Sequence, residues 1–485
     1  MTRQNRRDFL KSTLAAAATI TIAGTKSSGQ VVGANEAIRI GVAGLNGRGG
    51  SHVGAFAAMQ GVRVTYLIDP DTRTFSRRVR QVRDAGGQEP RTVQDVRRAL
   101  EDRNVDAISI ATPNHWHALM TIWACQAGKD VYVEKPCSHN VHEGRIAADM
   151  ARRHNRIVQH GTQSRSNTAM ANVVDVIRSG QLGRLLVARG LCYKRRDNSQ
   201  GRVPSVARSD APRELDFNLW LGPAATRPYH ENLVHYRWHW FWDFGNGDIG
   251  NQGVHEMDKA RWGIPGATLP RSVISLGGRF GASDRAETPN TQIAIFDYGA
   301  TQLIFEVRGL ETAQYNHQGV GNVFHLEEGI IAGTQFYPRG RTTAAPLPRV
   351  EGAGRRGPGG GNHFANFIAA VRSRRPQDLN APILEGHYSS ALCHLANISY
   401  RLGEQAAFNP RTRVVADNPQ ASDTLARMEE HLRGNGVQLN STMLRVGRRL
   451  VLDAQAERFT DNAEANRLLT RNYRAGFVVP ERADG

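Results

Sequence analysis

A two-part α/β chain is predicted: a parallel, doubly wound sheet comes first, then an α+β region with an open, largely antiparallel sheet. Three observations carry this. Between residues 37 and 135, short apolar runs alternate with helical patterns, as parallel βαβ units do. From about Gln181 the runs become strand-like and closely spaced, with turns between some of them, which suits antiparallel pairing. With 485 residues, the chain is long enough for two domains and a substantial core.

The first strand, Ala37 to Ala43, leads into Gly44-Leu45-Asn46-Gly47-Arg48-Gly49-Gly50. A helical pattern follows from about His52 to Met59, then a second strand from Val62 to Ile68 that ends at Asp69. Strand, glycine turn, helix, strand and acid, in that order, describe a Rossmann dinucleotide-binding unit. Gly44, Asn46, Gly47, Arg48 and Gly49 are the expected pyrophosphate-side residues. Glycines let the main chain come close there, and the helix offers its free first N–H groups. Asn46 stands where the second glycine of G-x-G-x-x-G belongs, and Asn tolerates left-handed backbone better than most residues. Asp69 lies 20 residues beyond Gly49, placed to accept hydrogen bonds from a ribose. A carboxylate there repels a 2′-phosphate, so NAD is expected over NADP, a preference that nearby Arg73 weakens.

The alternation continues with a helix around Thr92 to Leu100, a strand from Ala107 to Ala111, and Thr112-Pro113-Asn114-His115-Trp116-His117. A helix to about Ala127 precedes the strand Val131-Tyr132-Val133, which Pro136 stops. Thr112, Pro113 and Asn114, with Glu134 and Lys135, thus fall at the carboxyl edge of the sheet, where such sheets bind ligands. All five are expected beside the nicotinamide end of the cofactor.

The formal charge of +17 rests on arginine, since there are only six lysines. No Lys/Arg-only run stands out and aromatics are not interleaved with the arginines, so no nucleic-acid partner is expected. Asn5-Arg6-Arg7-Asp8-Phe9-Leu10-Lys11 precedes an apolar stretch from Leu14 to Ala23 that is too short to span a bilayer. It resembles a twin-arginine export signal, with Asn5 where Ser is more usual. The expected location is therefore periplasmic or otherwise exported through the twin-arginine machinery, without stable membrane insertion. Cys125, Cys137, Cys192 and Cys393 show no metal-ligand spacing, and no metal is expected. A disulfide is permitted outside the cytoplasm, and sequence assigns none.

The glycine turn, Ala-Thr-Pro-Asn-x-x-His (111 to 117) and Glu134-Lys135-Pro136, in that order, resemble the Gfo/Idh/MocA oxidoreductase family. So do Gln163 to Ser166, Leu219 to Pro223, Gly247 to Asp258, His363 to Phe367 and Leu392 to Asn397. The resemblance covers most of residues 36 to 408 and points to an exported branch that acts on sugars or glycosides. It implies that His117 belongs to the cofactor site and that one face of the second domain's sheet packs over the cofactor. It also implies that His255 is the catalytic histidine, while Asn251 occupies the family's usual aspartate position.

Asn orients a hydroxyl but takes up no proton near neutral pH, so proton transfer falls to His255. Lys135 is expected to hydrogen-bond the reacting oxygen and stabilise alkoxide charge during hydride transfer. On a helix, Asp248, Asn251 and His255 recur at i, i+3 and i+7 along one face, and Asp248 would orient His255 or a sugar hydroxyl. Gly250 and Gly253 each disfavour a helix by about 1 kcal/mol, which suggests a close approach of the main chain to cofactor or substrate. Gln163, Arg165, Trp240 and His255 are the expected substrate contacts. His235, His239 and the aromatic run Tyr236 to Trp242 read equally as a sugar-stacking cleft or as core.

The expected organisation is an export signal and linker (1–34), an NAD-binding Rossmann domain (35–160) and an α+β substrate and oligomerisation domain (161–408). A C-terminal extension (409–485) packs on the body, with helical patterns at Ala421 to Arg433 and Ala463 to Tyr473. A homo-oligomer is expected. The implied activity is NAD-dependent hydride transfer at a sugar or glycoside secondary alcohol. Glycoside cleavage through a transient 3-keto sugar is the alternative, and a non-catalytic sugar-binding protein of the same fold is a third reading.

Overall fold

The computed structural model describes residues 37–408, 415 and 418–483; the expected export signal lies outside them. The first part runs β1 (Ile38–Ala43), α1 (Arg48–Ala57), β2 (Val62–Ile68), α2 (Phe75–Asp84), β3 (Arg91–Val93) and α3 (Val96–Leu100). It continues with β4 (Ala107–Ile110), α4 (Asn114–Gln126), β5 (Asp130–Val133), α5 (Val141–Arg153) and β6 (Val158–His160). The six strands pair in parallel in the order β3-β2-β1-β4-β5-β6, so the chain reverses direction across the sheet between β1 and β4. The carboxyl ends of β2, β1, β4 and β5 therefore stand side by side, carrying Asp69, Gly44, Thr112 and Glu134 in that order. At about 4.8 Å per strand, this edge gives a ligand a row of roughly 14 Å from Asp69 to Glu134.

Two local expectations need correcting. Thr92 and Val93 belong to β3, and α3 starts only at Val96, where the Asp95 carboxylate caps it by accepting from Arg97 N at 3.0 Å. Helix α2 escaped sequence reading because it buries only Arg78 and Val82 and carries no apolar stripe.

The second part comprises α6 (Thr168–Ser179), β7 (Leu185–Tyr193), α7 (Phe217–Leu221), α8 (Gly247–Asn251), α9 (Gly253–Gly263), β8 (Ser272–Gly278), β9 (Thr291–Asp297) and β10 (Gln302–Arg308). Then come β11 (Val320–Leu326), β12 (Gly329–Ala332), β13 (Gln335–Pro338), α10 (His363–Ser373), α11 (Ile383–Arg401) and β14 (Glu404–Ala407). The chain ends with α12 (Pro419–Gly434), β15 (Met443–Val446), β16 (Leu450–Asp453), β17 (Arg458–Phe459) and α13 (Ala463–Arg467). The eleven-stranded sheet is antiparallel except where β7 pairs with β10. One face buries α6, α9 and α11; the other buries Leu425, Met428 and Leu432 of α12 against Ile274 and Ile295. The extension is thus more than a helical wrap, since β15 and β16 both pair with β8. Its second helix stops at Arg467, and the chain then crosses to the first domain, where Phe477 and Val479 join the core. All four cysteines are buried and free.

Asp248, Asn251 and His255 do not share one helix. The helix is interrupted at Gln252, between α8 and α9, although Gln252 itself keeps right-handed helical backbone angles (φ −79°, ψ −38°). Gly250 and Gly253 make room for protein, not ligand. A Cβ on Gly250 would lie 2.3 Å from the Asn246 side chain, and one on Gly253 would lie 2.7 Å from the Phe305 ring of β10. Gly253 thus lets α9 sit flush on the sheet. Gly253→Ala is expected to cost about 1–3 kcal/mol through overpacking, read by chemical denaturation; wild-type stability would count against this close packing.

Candidate active site

A cavity of about 400 Å³ follows the carboxyl edge from β2 to β5. At the β1 end, Gly44 has φ +79°, and a Cβ there would sit 2.6 Å from the Ala111 carbonyl. A Cβ on Gly49 would meet the Gly44 oxygen, so this turn closes only with glycine. Asn46, Gly47 and Arg48 line the exposed rim, and α1 begins without a side-chain cap, which leaves its first N–H groups to whatever the cavity holds. Asp69 accepts from Leu45 N at 2.8 Å and from Asp71 N at 2.9 Å, so the acid also shapes the glycine turn. Burial pushes its carboxyl up to about 6.

Arg73 is not free to meet a 2′-phosphate, because it donates to Asp71 at 2.8 and 2.6 Å. Arg48, the one arginine lining the cavity, donates to Glu134 at 2.8 Å.

At the other end, the Thr112 hydroxyl and the Asn114 amide nitrogen are buried without a hydrogen-bond partner among the described residues. His117 lines the cavity too, but its nitrogens lie 2.5 Å from the Pro136 carbonyl and 2.8 Å from the Thr112 carbonyl. It ties the two loops together. Glu134 is a buried hub that accepts from Arg48, from His52 at 3.1 Å and from Gln163 at 3.1 Å. Burial opposes its charge. The His52 hydrogen bond and the charges of Arg48, His52 and Lys135 together still hold the carboxyl well below the usual range.

Lys135 follows directly. Its Nζ donates to the Asn251 carbonyl at 2.7 Å and stands 3.5 Å from Asn251 Oδ1. Burial lowers its pKa; Glu134 opposes that shift and Arg48 adds to it. His255 lines the same cavity, and its ring makes no hydrogen bond to another described residue. Burial, then the charge of Lys135, keeps it well below the ordinary histidine range, so it is neutral near pH 7.

Three expected site residues face elsewhere. Asp248 is buried in a two-pronged pair with Arg196 at 2.8 and 2.6 Å. Arg165 donates to Asp258 at 2.9 and 3.0 Å and to Glu385 at 3.0 Å, holding α9 to α11. Trp240 is core, with its indole N–H on the Gln200 carbonyl at 2.8 Å. Each is a polar or aromatic residue whose chemistry suits a sugar, but burial and a full set of partners commit it to the fold. The aromatic run divides: His235, Tyr236, Trp238 and His239 line the cavity, whereas Trp240 and Phe241 do not. The large sheet does not itself cover the cavity. No residue of its strands lines it, and β7 and β10 instead support α9, which brings His255 there.

Sequence reading missed His52, which bonds Ser109 at 2.8 Å on its other nitrogen, and Asp71, which meets His235 at 2.9 Å. No motif flags His52. The Asp71–Arg73 spacing hinted only at a local pair.

A parallel sheet with a glycine turn and an acid at its switch point defines a dinucleotide-binding protein. Residues 38–162 match the oxidoreductase family's NAD-binding Rossmann fold, and residues 166–271 match its C-terminal α/β domain. The chain belongs to the Gfo/Idh/MocA oxidoreductase family. A glycosyl hydrolase family 109 protein of Saccharopolyspora erythraea is 30% identical over 207 residues, 38% of this chain and 45% of that one. A glycosyl hydrolase family 109 protein of Shewanella sp. (strain ANA-3) is 29% identical over 206 residues, 38% and 44% of the two chains. The match spans less than half the length of either relative. Among solved structures, the WlbA dehydrogenase from Bordetella pertussis in complex with NADH and UDP-GlcNAcA gives a TM-score of 0.56 at 19% identity, covering 76% of this chain and 97% of that one. Levoglucosan dehydrogenase in complex with NADH gives 0.52 at 16% identity, with 74% and 96% covered. These two share the fold.

The residues fit NAD. The glycine turn closes only without side chains, the unpartnered Thr112 and Asn114 groups are suited to an amide or hydroxyl, and the one lining arginine, Arg48, is paired through its Nε–H with Glu134. Because burial raises the Asp69 pKa, its carboxyl becomes protonated as pH falls through about 6 and stops being a charged acceptor. NAD affinity measured by calorimetry should therefore weaken below that pH, by up to about tenfold per unit. Asp69→Asn should lose this dependence; a variant that keeps it would remove Asp69 from the cofactor site.

Proposed function

We propose that this chain moves a hydride between a secondary alcohol of a sugar or glycoside and NAD held in the cavity. One observation carries the reading: the Lys135 ammonium and the unpartnered His255 ring share a single cavity with the glycine turn and Asp69. Gly44, Asn46, Gly47, Asp69, Thr112 and Asn114 would hold the cofactor, which when bound supplies a reversible hydride acceptor. Lys135 has one N–H on the Asn251 carbonyl, which aims the ammonium and leaves two donors for a substrate oxygen. The charge then stabilises that oxygen as its proton departs. His255, neutral near pH 7, accepts the proton; Asn251 cannot. Tyr236 and Trp238 supply an aromatic wall suited to a pyranose ring.

A second reading, glycoside cleavage through transient oxidation, is favoured by the names of the two sequence relatives and by Asn251 in place of the family's aspartate. Both readings need the same hydride step. We also propose export through the twin-arginine pathway, on the strength of Asn5 to Lys11. Replacing Arg6 and Arg7 with lysine should strand the protein in the cytoplasmic fraction, and unchanged export would exclude this route. An exported enzyme has little free NAD around it, which fits a cofactor that stays bound and recycles.

A screen of sugars and glycosides, read as near-ultraviolet absorbance of the reduced bound cofactor, tests the hydride step. Lys135→Met should lower turnover by about 10²–10³-fold, and His255→Ala should remove the base. In the wild type, activity should fall on the alkaline side at a pH below the ordinary lysine range, because burial makes Lys135 lose its proton early. Full turnover by Lys135→Met would end this assignment.

A further inference from the structure

A second cavity, of about 840 Å³, shares no residue with the first. It lies on the face of the large sheet that α12 covers, whereas α9, which carries His255, packs on the opposite face. Its volume falls within the roughly 300–1,000 Å³ of small-molecule sites. Val187, His325, Ile330 and Tyr337 stand opposite one another on adjacent strands and form its floor. No lining residue is a carboxylate. Arg341 makes no side-chain hydrogen bond to another described residue, and Arg339 donates to the Glu327 main-chain carbonyl, while the Glu327 carboxylate is taken by Arg184 at 2.7 Å. Three lining carboxamides have already spent their oxygens. Asn418 Oδ1 accepts from Ala421 N at 3.1 Å, Gln302 Oε1 from Asn418 at 2.9 Å, and Gln420 Oε1 from Arg189 at 2.8 Å. The amide N–H groups of Gln302 and Gln420 are left over as donors. Behind Gln420, Arg189, Arg308 and Arg427 converge on the buried Glu306, with only Asp423, on Arg427, adding a second negative charge. Arg189 Nε and Arg308 Nη1 are buried there without a partner among the described residues. The cavity therefore offers cations and N–H donors. It also offers a flat platform, because Tyr337 stacks with the exposed His317 at 5.4 Å and 23°.

We propose that this cavity is an accessory binding site for an anionic saccharide, one whose sugar units carry carboxylate or sulfate groups. Arg339 and Arg341 meet the anionic group, whose paired oxygens match the fork of a guanidinium. Gln302 and Gln420 donate to the same group or to ring hydroxyls, which accept. One sugar ring lays its apolar C–H face on the Tyr337–His317 platform. A nucleobase is a poorer match, because its edge carries donors that need acceptors, and the carboxamide oxygens of Gln302, Asn418 and Gln420 are taken. The formal charge of +17 draws such a chain toward the protein before it docks. Since the cavity lies across the sheet from α9, occupancy holds the enzyme on an anionic glycan and leaves the dinucleotide cavity open. The site is independent of the hydride step and stands whether or not that step occurs.

Calorimetry on the full chain tests this with trigalacturonate and with a sulfated galactotriose, against neutral galactotriose and inorganic sulfate. At least one of the charged trisaccharides should bind about tenfold or more tightly than the neutral one and than inorganic sulfate. Arg341→Ala should weaken that binding by about tenfold or more, with Gln302→Ala as a second probe. His317→Asn should weaken it by about two- to tenfold through loss of the platform; asparagine tolerates the left-handed backbone at this position, where φ is +63°. An unchanged melting temperature is the folding control for each variant. Failure of both charged trisaccharides to bind would overturn the proposal. So would equal affinity for neutral galactotriose, or inorganic sulfate binding as tightly as the sugars, which would leave an anion site only. Unchanged affinity in Arg341→Ala and Gln302→Ala would place the binding elsewhere on the basic surface and end the assignment.

Discussion

The carboxylate of Glu134 is the interaction on which the site depends. It is buried at the end of β5 and accepts from Arg48 at the rim, His52 behind it and Gln163 beside it. Leaving the buried carboxylate or the buried His52 nitrogen without its partner would cost on the order of 1–3 kcal/mol. They therefore fix the position from which the chain turns into Lys135. His117 sits between the Pro136 and Thr112 carbonyls, its nitrogens 2.5 and 2.8 Å from them, so one buried ring touches both loops at the nicotinamide end. Lys135 is long and flexible, but it springs from a main chain held on two sides, and its tip is tethered to Asn251.

Covering the cavity is a separate problem, solved by segments outside the Rossmann sheet. Asp71 accepts from both Arg73 and His235, and the Thr72 and Asp216 N–H groups exchange bonds with the Glu214 and Pro70 carbonyls. These contacts moor the segment after β7 to the end of β2. At the other side, Arg474 donates to the Gly222 carbonyl at 2.8 Å and to the Asn218 carbonyl at 2.6 Å, while Phe477 packs edge-on against Trp116. The C-terminal extension therefore clamps α7 over α4. This is what its Phe477 and Val479 achieve by entering the first domain's core. A covered, clamped cavity suits a cofactor that stays through many turnovers.

The first sheet was legible because each of its signals is local: β-rich runs, a glycine turn whose geometry admits nothing else, and Asp69 at the expected spacing. Lys135 and His255 were legible through motif position. Asp248 and Arg165 lie in stretches that resemble the family just as closely, yet their charges are spent on Arg196 and Asp258. Sequence cannot separate these cases, because the deciding partner lies 52 residues from Asp248 and 93 from Arg165. His52 was missed as a site group for the same reason, and His239 was left open between cleft and core: their roles come from what faces them, Glu134 in one case and the cavity in the other. Helix α2 failed differently, since its buried face includes an arginine that donates to the Leu45 carbonyl.

Asn251 is the departure that gives the site its electrostatics. Its Oδ1 stands 3.5 Å from Lys135 Nζ, so an aspartate there would pair with the ammonium. At an effective dielectric near 20, such a pair is worth roughly 4–5 kcal/mol before desolvation. It would raise the Lys135 pKa and cancel much of the field that depresses His255. Asparagine keeps the geometry, with the Lys135 tether on the main-chain carbonyl, and withholds the charge. The ammonium then acts on whatever oxygen enters the cavity, and His255 remains a free base. The same uncancelled charge reaches His239, whose protonation it also opposes. One neutral side chain in place of an acid thus leaves the ammonium unpaired and the His255 ring ready to accept a proton.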